Sequence, residues 1–137
     1  WDAWLSDEEL VALYDAVDVV VVPSRGGAFE LNALEALARG KIVITSEWYP
    51  IQEYCKICLK VKSRGKCRVF PSNSVEGMIH DGYGVDPDPY HLALLIYDVY
   101  LHLDEYRKKF EEFKHWIRKE YSFEKVKKAL IDFVEGR

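Results

Sequence analysis

The sequence predicts an α/β fold in which a parallel β-sheet is flanked by helices, and two observations carry this prediction. Residues 19–22 are four consecutive valines closed by Pro23, the pattern of a short strand buried on both faces. Apolar and small residues then recur at helical spacing over 31–39, and Gly40 marks a helix stop before a second apolar run at 42–45. A strand, a loop, a helix and a strand in this order form a right-handed crossover when the sheet is parallel.

A capping box predicts the helix that precedes this unit. Ser6 stands three residues before Glu9, so that each side chain can accept a hydrogen bond from the backbone amide of the other. The following apolar residues share one helical face, at Leu10, Leu13, Tyr14 and Val17. We therefore expect a helix that leads directly into the strand at 19–22.

The segment 46–73 follows a different pattern. Apolar and basic residues alternate over 56–70, which predicts a β-hairpin that pairs 59–61 with 67–69 across a loop at 63–65, with the loop glycine in the left-handed position. One face of this hairpin docks on the domain, and the other is cationic, with Lys60, Lys62, Lys66 and Arg68. We expect the cationic face to be exposed to solvent. The alternative is peripheral contact with a membrane or a lipid-linked, anionic acceptor.

The C-terminal part predicts a strand and three helices. Residues 81–82 mark a turn before a short strand near 84–85, and Asp88 followed by Pro89 marks a helix start. A second helix begins near Glu105, and Ser122 caps a third. The third helix carries an apolar stripe at Phe123, Val126, Leu130 and Phe133.

Length and composition suit one domain. The 137 residues are 49% hydrophobic and 14% aromatic, which is enough for a core. The net charge of −4 argues against a dedicated nucleic-acid-binding protein, so we expect no nucleic-acid partner. No apolar run has the length of a membrane span, and no signal peptide is visible. The first residue is Trp1 rather than Met, which favours a piece of a longer protein.

Three cysteines are an odd number, which argues against a secreted scaffold built on disulfides. We therefore expect reduced cysteines and a cytoplasmic location. The alternative is a zinc site made of Cys55, Cys58, Cys67 and His80, because the first pair has the spacing of a zinc knuckle. The predicted hairpin places Cys58 and Cys67 on opposite faces, so we expect no metal.

Several motifs together resemble the sugar-donor half of the group 1 (family 4) GT-B glycosyltransferases. The first are an L-x-x-x-Y-x-x-x-D strand entry, a P-S-R loop and a helix with the second glutamate of E-x7-E, which here are Leu10, Tyr14, Asp18, Pro23, Ser24, Arg25, Phe29, Leu31, 34–38 and Gly40. An E-x-x-x-x-D-G segment at 76–82, Asp-Pro-Asp-Pro at 86–89 and Tyr-Ser-Phe at 121–123 continue the resemblance. It covers nearly the whole chain apart from about 49–72.

The resemblance implies a Rossmann-like fold. Residues 1–137 would be the C-terminal part of a GT-B nucleotide-sugar-binding domain, with about 49–72 as an inserted hairpin. The intact enzyme would transfer a sugar of hexose type from a nucleotide-sugar to an acceptor, commonly with retention of configuration and without a metal or another cofactor. Its N-terminal acceptor domain would complete the catalytic surroundings, so we expect this piece alone to be inactive. The catalytic residues stay unassigned.

The resemblance also implies a donor site at the loop and the helix after the first strand. Glu35 would bind the ribose of the nucleotide, and the backbone around it would cradle a phosphate or the sugar, with site residues Arg25, Gly27, Ala28, Phe29, Glu30, Leu31 and Glu35. Gly27 stands where the family has the first glutamate of E-x7-E, the one beside the transferred sugar. Glu30 is close by but in another register.

Three alternatives stay open at this point. Glu35 could be a solvated helix residue that pairs with Arg39 four residues on. The chain could be a degenerate, non-catalytic domain that binds a nucleotide-sugar or a protein, which Gly27 favours. It could also belong to a nucleotide-sugar epimerase.

Overall fold

A computed structural model describes residues 4–79 and 82–136, and within these it has a mixed α/β fold with two sheets. A three-stranded parallel sheet has the strand order β1-β2-β3, and β4 and β5 form an antiparallel pair. The elements in chain order are α1 (Asp7–Ala16), β1 (Val19–Val22), α2 (Leu31–Ala38), β2 (Ile42–Ser46), α3 (Tyr49–Gln52), β3 (Leu59–Val61), β4 (Ser63–Arg68), α4 (Val75–Ile79), β5 (Tyr83–Pro87), α5 (Pro89–Leu101), α6 (Leu103–Glu120) and α7 (Phe123–Val134). The predicted α/β class, with a parallel sheet flanked by helices in a Rossmann-like arrangement, is confirmed.

The elements from α1 to β2 form as the sequence predicts, but β1 is not buried on both faces, because Val21 is 36% exposed. The Ser6 hydroxyl accepts from the Glu9 amide at 3.3 Å, and the Glu9 carboxylate accepts from the Ser6 amide at 2.8 Å, which completes the capping box. Strand β1 pairs with β2 in parallel, with Val19 opposite Ile42. Gly40 has φ +75, the left-handed conformation expected of a helix-stop glycine.

The core lies between the parallel sheet, α2 and α6. All five residues of β2 are buried, as expected of the middle strand of a covered parallel sheet. Helix α2 buries Ala33, Ala36 and Leu37, and α6 buries Phe110 and Ile117. Leu37 is thus buried, whereas Leu31, the first residue of the apolar pattern over 31–39, is 60% exposed.

The predicted β-hairpin is wrong. Strand β3 pairs in parallel with β2, with Ile44 opposite Leu59, whereas β4 pairs antiparallel with β5, with Cys67 opposite Gly84. The two halves of the expected hairpin therefore belong to different sheets. Alternation of apolar and polar residues identifies a strand but does not specify its partner, and the edge of β2 and the strand β5 both offered one. Gly65 has φ +141, but it lies at an irregularity within β4 rather than in a hairpin loop.

The cationic face that depended on this hairpin does not form either. Lys60 lies on β3, and Lys66 and Arg68 lie on β4. Lys60, Lys62 and Lys66 are exposed, as predicted, while Arg68 is partly buried, with its guanidinium 5.8 Å from the centre of the Tyr83 ring. The four side chains therefore do not lie on one pair of strands, as the predicted hairpin required.

The expectation of reduced cysteines is also wrong. Cys55 and Cys58 form a disulfide, with their Cα atoms 5.1 Å apart, and both are buried. An odd number of cysteines does not exclude one disulfide, because one cysteine can stay unpaired. Here Cys67 is free, and its thiol donates a hydrogen bond to the Val85 carbonyl at 3.1 Å. Across 4–79 and 82–136 no three His, Cys, Asp or Glu side chains are grouped so that they could hold a metal ion. His80, the fourth ligand of the alternative zinc site, lies outside the described residues.

The C-terminal part agrees with the sequence in its elements. Strand β5 contains the predicted 84–85, Asp88 caps α5 through the Tyr90 and His91 amides, and Ser122 caps α7. Asp81, the first residue of the predicted turn, lies outside the described residues. Helix α7 has no buried residue, and its apolar stripe faces solvent. Among the helices described, none has the length and apolar character to cross a membrane.

Candidate functional site

The loop between β1 and α2, residues 23–30, lies at the carboxyl edge of the parallel sheet, where open α/β sheets bind ligands. Strand β5 holds this loop in place, because the Val85 amide donates to the Arg25 carbonyl at 2.8 Å. A Cβ on Gly84 would overlap that carbonyl, so the close approach of loop and strand requires glycine there. The Arg25 side chain is exposed.

Two aromatic residues that follow β2 fix the far end of the loop. The Trp48 indole donates to the Gly27 carbonyl at 2.9 Å, and the Tyr54 hydroxyl donates to the Glu30 carbonyl at 2.9 Å. The Phe29 ring packs 4.9 Å from the Tyr54 ring. Burial, together with the nearby negative charge of Glu30, raises the pKa of Tyr54 to about 12, so the hydroxyl stays a donor at neutral pH.

Glu30 and Gly27 are in direct contact. A Cβ built on Gly27 would lie 2.5 Å from Oε1 of Glu30, so the carboxylate occupies the space where a side chain at Gly27 would begin. Glu30 is also the N-cap residue of α2, but its side chain caps no amide of the helix. The predicted site residues at 27–31 therefore form one continuous stretch, from the end of the loop to the first residue of α2.

Glu35 lies in the second turn of α2 and faces α1. Its Oε2 accepts from the Tyr14 hydroxyl at 2.8 Å, and that hydroxyl also lies 3.3 Å from the Asn32 carbonyl. Burial and the Glu35 carboxylate raise the pKa of Tyr14 well above its usual range. The interpretation of Glu35 as the partner of Arg39 is wrong, because Arg39 Nε donates to Asp15 Oδ1 at 2.9 Å and holds the pKa of Asp15 below its ordinary value.

An open depression of about 350 Å³ adjoins the loop. Its wall is mostly apolar and consists of Gly26, Gly27, Trp48, Val69, Phe70 and Gly82. At the carboxyl end of β2, the Ser46 hydroxyl is buried and has no hydrogen-bond partner in the described part of the chain. A depression of this size at this edge of the sheet is within the range of small-molecule sites.

Sequence reasoning missed Trp48, Tyr54 and the partnership of Tyr14 with Glu35. The first two lie in 46–73, where the sequence pattern predicts only a hairpin. A usable signal existed, since neighbouring parallel strands end at the same edge of a sheet and residues after β2 must meet residues after β1. Aromatic residues directly after a buried strand were therefore candidates for the wall of the site.

Two viral proteins are similar in sequence to this chain. "Uncharacterized protein 356" of Sulfolobus islandicus rod-shaped virus 1 is 31% identical over 134 residues, which is 95% of this chain and 36% of that protein. "Putative glycosyltransferase 45" of Sulfolobus islandicus filamentous virus (isolate Iceland/Hveragerdi) is 31% identical over 87 residues, which is 61% of this chain and 24% of that protein. The chain thus spans about a third or less of the length of these curated relatives.

The family described as "Glycosyl transferases group 1" matches residues 3–79. The match includes the whole of the β1–α2–β2 unit and continues through 49–72, the part that the resemblance had left out. It covers more than half of the chain, and it includes the loop 23–30, Glu35 and both aromatic residues that hold the loop. The chain therefore belongs to the group 1 glycosyltransferases.

Proposed function

We propose that this chain is the donor-side part of a GT-B glycosyltransferase that moves a sugar of hexose type from a nucleotide-sugar to an acceptor, with retention of configuration. Family membership supports sugar transfer, and the small share of each relative that the chain covers supports a longer protein with a separate acceptor domain. The nucleotide-sugar is the donor substrate, and the reaction requires no metal or other cofactor. This piece alone is inactive, because acceptor and catalytic groups lie elsewhere.

The observation that carries the proposal is the fixed loop at the carboxyl edge of β1. Three hydrogen bonds, from Val85 on β5 and from Trp48 and Tyr54 in the segment after β2, hold the loop backbone at Arg25, Gly27 and Glu30. The loop therefore has a set shape before any ligand arrives. Such preorganisation favours binding, because little conformational entropy is lost when the ligand docks.

Glu35 is the residue that we assign to the nucleotide ribose. One of its carboxylate oxygens accepts from Tyr14, which orients the group, while its other oxygen accepts no hydrogen bond from the part of the chain described here. The two lone pairs of each carboxylate oxygen suit a pair of adjacent hydroxyls. The loop 25–31 supplies the remaining contacts to the donor. The exposed Lys60, Lys62 and Lys66 support a lipid-linked acceptor at the membrane surface, reached from the cytoplasm.

A second candidate is a degenerate domain that binds a nucleotide-sugar or a protein without catalysis. The observation that favours it is Gly27, which has no side chain to offer a transferred sugar. The two candidates differ in turnover and agree in donor binding. Measurement of donor consumption by the longer protein separates them, since the degenerate domain binds the donor and leaves it intact.

The replacement Glu35→Ala in the longer protein tests the ribose assignment. Charge-assisted hydrogen bonds are worth about 1.5–3 kcal/mol each, so loss of two weakens nucleotide binding by about 3–6 kcal/mol, or about two to four powers of ten. Nucleotide and nucleotide-sugar should be affected alike in calorimetry, since both contain the ribose. The matched control is Glu112→Ala, an exposed glutamate on α6. Unchanged nucleotide affinity in Glu35→Ala would leave that residue as a structural partner of Tyr14.

A further inference from the structure

The carboxylate of Glu30 occupies the space directly beside Gly27. Oε1 lies 2.5 Å from the position of a Cβ on Gly27, so any other residue at 27 would displace it. Gly27 does not have a positive φ, and its backbone conformation is therefore open to other residues. Glycine at this position thus serves to leave room for the carboxylate.

The same carboxylate is not used within the described part of the chain. The Glu30 backbone is fixed, since its carbonyl accepts from Tyr54 and from two amides of α2. Its side chain caps no helix amide, and within 4–79 and 82–136 it has neither a hydrogen bond nor an ion pair. An ionised carboxylate only accepts hydrogen bonds. A half-buried carboxylate in this state is complementary to a ligand that brings donors.

The charge of Glu30 decides which part of a nucleotide-sugar can lie beside Gly27. A phosphate there would face a carboxylate of the same sign, and two like charges at contact distance repel. A sugar brings neutral hydroxyl donors instead. The depression next to Gly27 adds an apolar wall of Trp48, Val69 and Phe70, which suits the C–H face of a sugar ring. Both features select the sugar over the diphosphate.

We infer that Glu30 is a specificity-determining residue, which accepts hydrogen bonds from the hydroxyls of the donor's sugar and restricts the donor to sugars without a carboxylate. This inference rests on the proposed function, because it assigns one residue of the same donor site. Uronic acid donors are rejected, since their carboxylate would lie against that of Glu30. Neutral hexoses and N-acetylated hexosamines are accepted.

Saturation-transfer NMR titrations of the longer protein test the inference, since the method detects weak binding. The probes are UDP-glucose, UDP-glucuronate and UDP, together with GDP-mannose and GDP to cover a guanosine donor. We expect the neutral sugar to add affinity over the plain nucleotide, and the glucuronate to bind at least tenfold more weakly than the glucose. Glu30→Gln keeps the shape and removes the charge. It should cut the neutral-sugar preference by about tenfold, raise the affinity for the glucuronate and leave the plain nucleotide unchanged.

A second variant, at Gly27, displaces the same carboxylate by steric contact. Gly27→Ala places a Cβ where Oε1 of Glu30 lies and should move the carboxylate, with the same loss of sugar preference as Glu30→Gln. The double variant should lose no more than either single one, since both remove one interaction. The matched control is Glu112→Gln, an exposed glutamate on α6 outside the depression, which should leave the sugar preference unchanged.

The possible results separate the two proposals. If nucleotides bind but Glu30→Gln has no effect and the glucuronate binds as well as the glucose, the role of Glu30 is overturned and the proposed function stands. If neither nucleotides nor nucleotide-sugars bind to the wild-type protein, the proposed function is overturned and the role of Glu30 with it. Thermal unfolding of each variant confirms that changes in binding do not reflect loss of fold.

Discussion

The two ends of helix α2 are built in opposite ways. At its C-terminal end, Gly40 takes the left-handed conformation, Arg118 of α6 donates to the Ala38 carbonyl at 2.7 Å, and Arg39 is bound to Asp15. At its N-terminal end, the N-cap side chain of Glu30 satisfies no amide. The C-terminal end, here called the closed end, is held by side chains of α1 and α6 and stabilises the fold. The N-terminal end, here called the open end, has an N-cap carboxylate that bonds no helix amide, and it lies at the edge of the sheet where open α/β folds bind ligands.

The largest effect is expected where α6 covers the closed end. Phe110 is fully buried against the core. Phe110→Ala removes that packing and leaves a cavity, which costs about 3–5 kcal/mol. Thermal unfolding followed by circular dichroism should show a greatly lowered Tm or no cooperative transition. A Tm within two or three degrees of the wild type would show that α6 contributes little to the core.

A matched pair of glycines sharpens the comparison of the two ends. Gly40→Ala forces an alanine into φ +75 and brings its Cβ against the Glu111 carboxylate, so we expect a loss of about 1–2 kcal/mol. Gly27→Ala has no such strain, because its φ is not positive and only the mobile end of Glu30 must move. Its stability should change by less than about 0.5 kcal/mol. Denaturant unfolding measures the loss of stability in each variant. Equal losses in the two variants would contradict the division between a closed and an open end.

The Tyr54 hydroxyl gives the open end its own pH dependence. Because the pKa of Tyr54 is raised to about 12 in the folded protein, the folded state keeps this proton at pH values where the unfolded chain loses it. Its contribution is therefore complete below about pH 10 and is lost as the pH rises from about 10 to 12. Tyr54→Phe should cost about 0.5–1.5 kcal/mol at neutral pH through the lost hydrogen bond to Glu30.

The measurement is chemical denaturation of wild type and Tyr54→Phe across this alkaline range. The wild type should lose more stability than the variant between pH 10 and 12, so that the two curves converge. Parallel curves would show that Tyr54 does not titrate with the fold. Tyr83→Phe, an exposed tyrosine on β5, is the control.

The smallest effect is expected from the exposed lysines of β3 and β4. Changing Lys60, Lys62 and Lys66 together to serine should alter stability by less than about 0.5 kcal/mol for each residue, because all three are solvent-exposed. Arg68 is left unchanged, since it packs over Tyr83. Urea denaturation provides the test, and a loss of several kcal/mol would show that the lysine stems are packed.

The helix α2 and its glycine stop could be predicted from the sequence, whereas the contacts that hold its two ends could not, such as those of Arg39 with Asp15 and of Arg118 with Ala38. Four valines, a helical stripe and Gly40 each follow a local rule, so the β1–α2–β2 unit and its boundaries could be predicted from neighbouring residues. The bonds from Trp48 and Tyr54 to the loop join residues 21 and 24 positions apart, and no local pattern encodes them. The pairing of β3 with β2 and of Cys55 with Cys58 likewise depends on how the segment 49–61 folds back.

The central claim, that the open end of α2 binds the nucleotide-sugar, is tested most directly by backbone amide NMR of the longer protein during titration with UDP-glucose and GDP-mannose. The account predicts that one of them shifts amides of 24–35 and the Trp48 indole at the lowest donor concentrations. The amides around Gly40, at the closed end, should stay in place. Shifts confined to Gly40 and the neighbouring part of α6, with 24–35 unchanged, would contradict the claim.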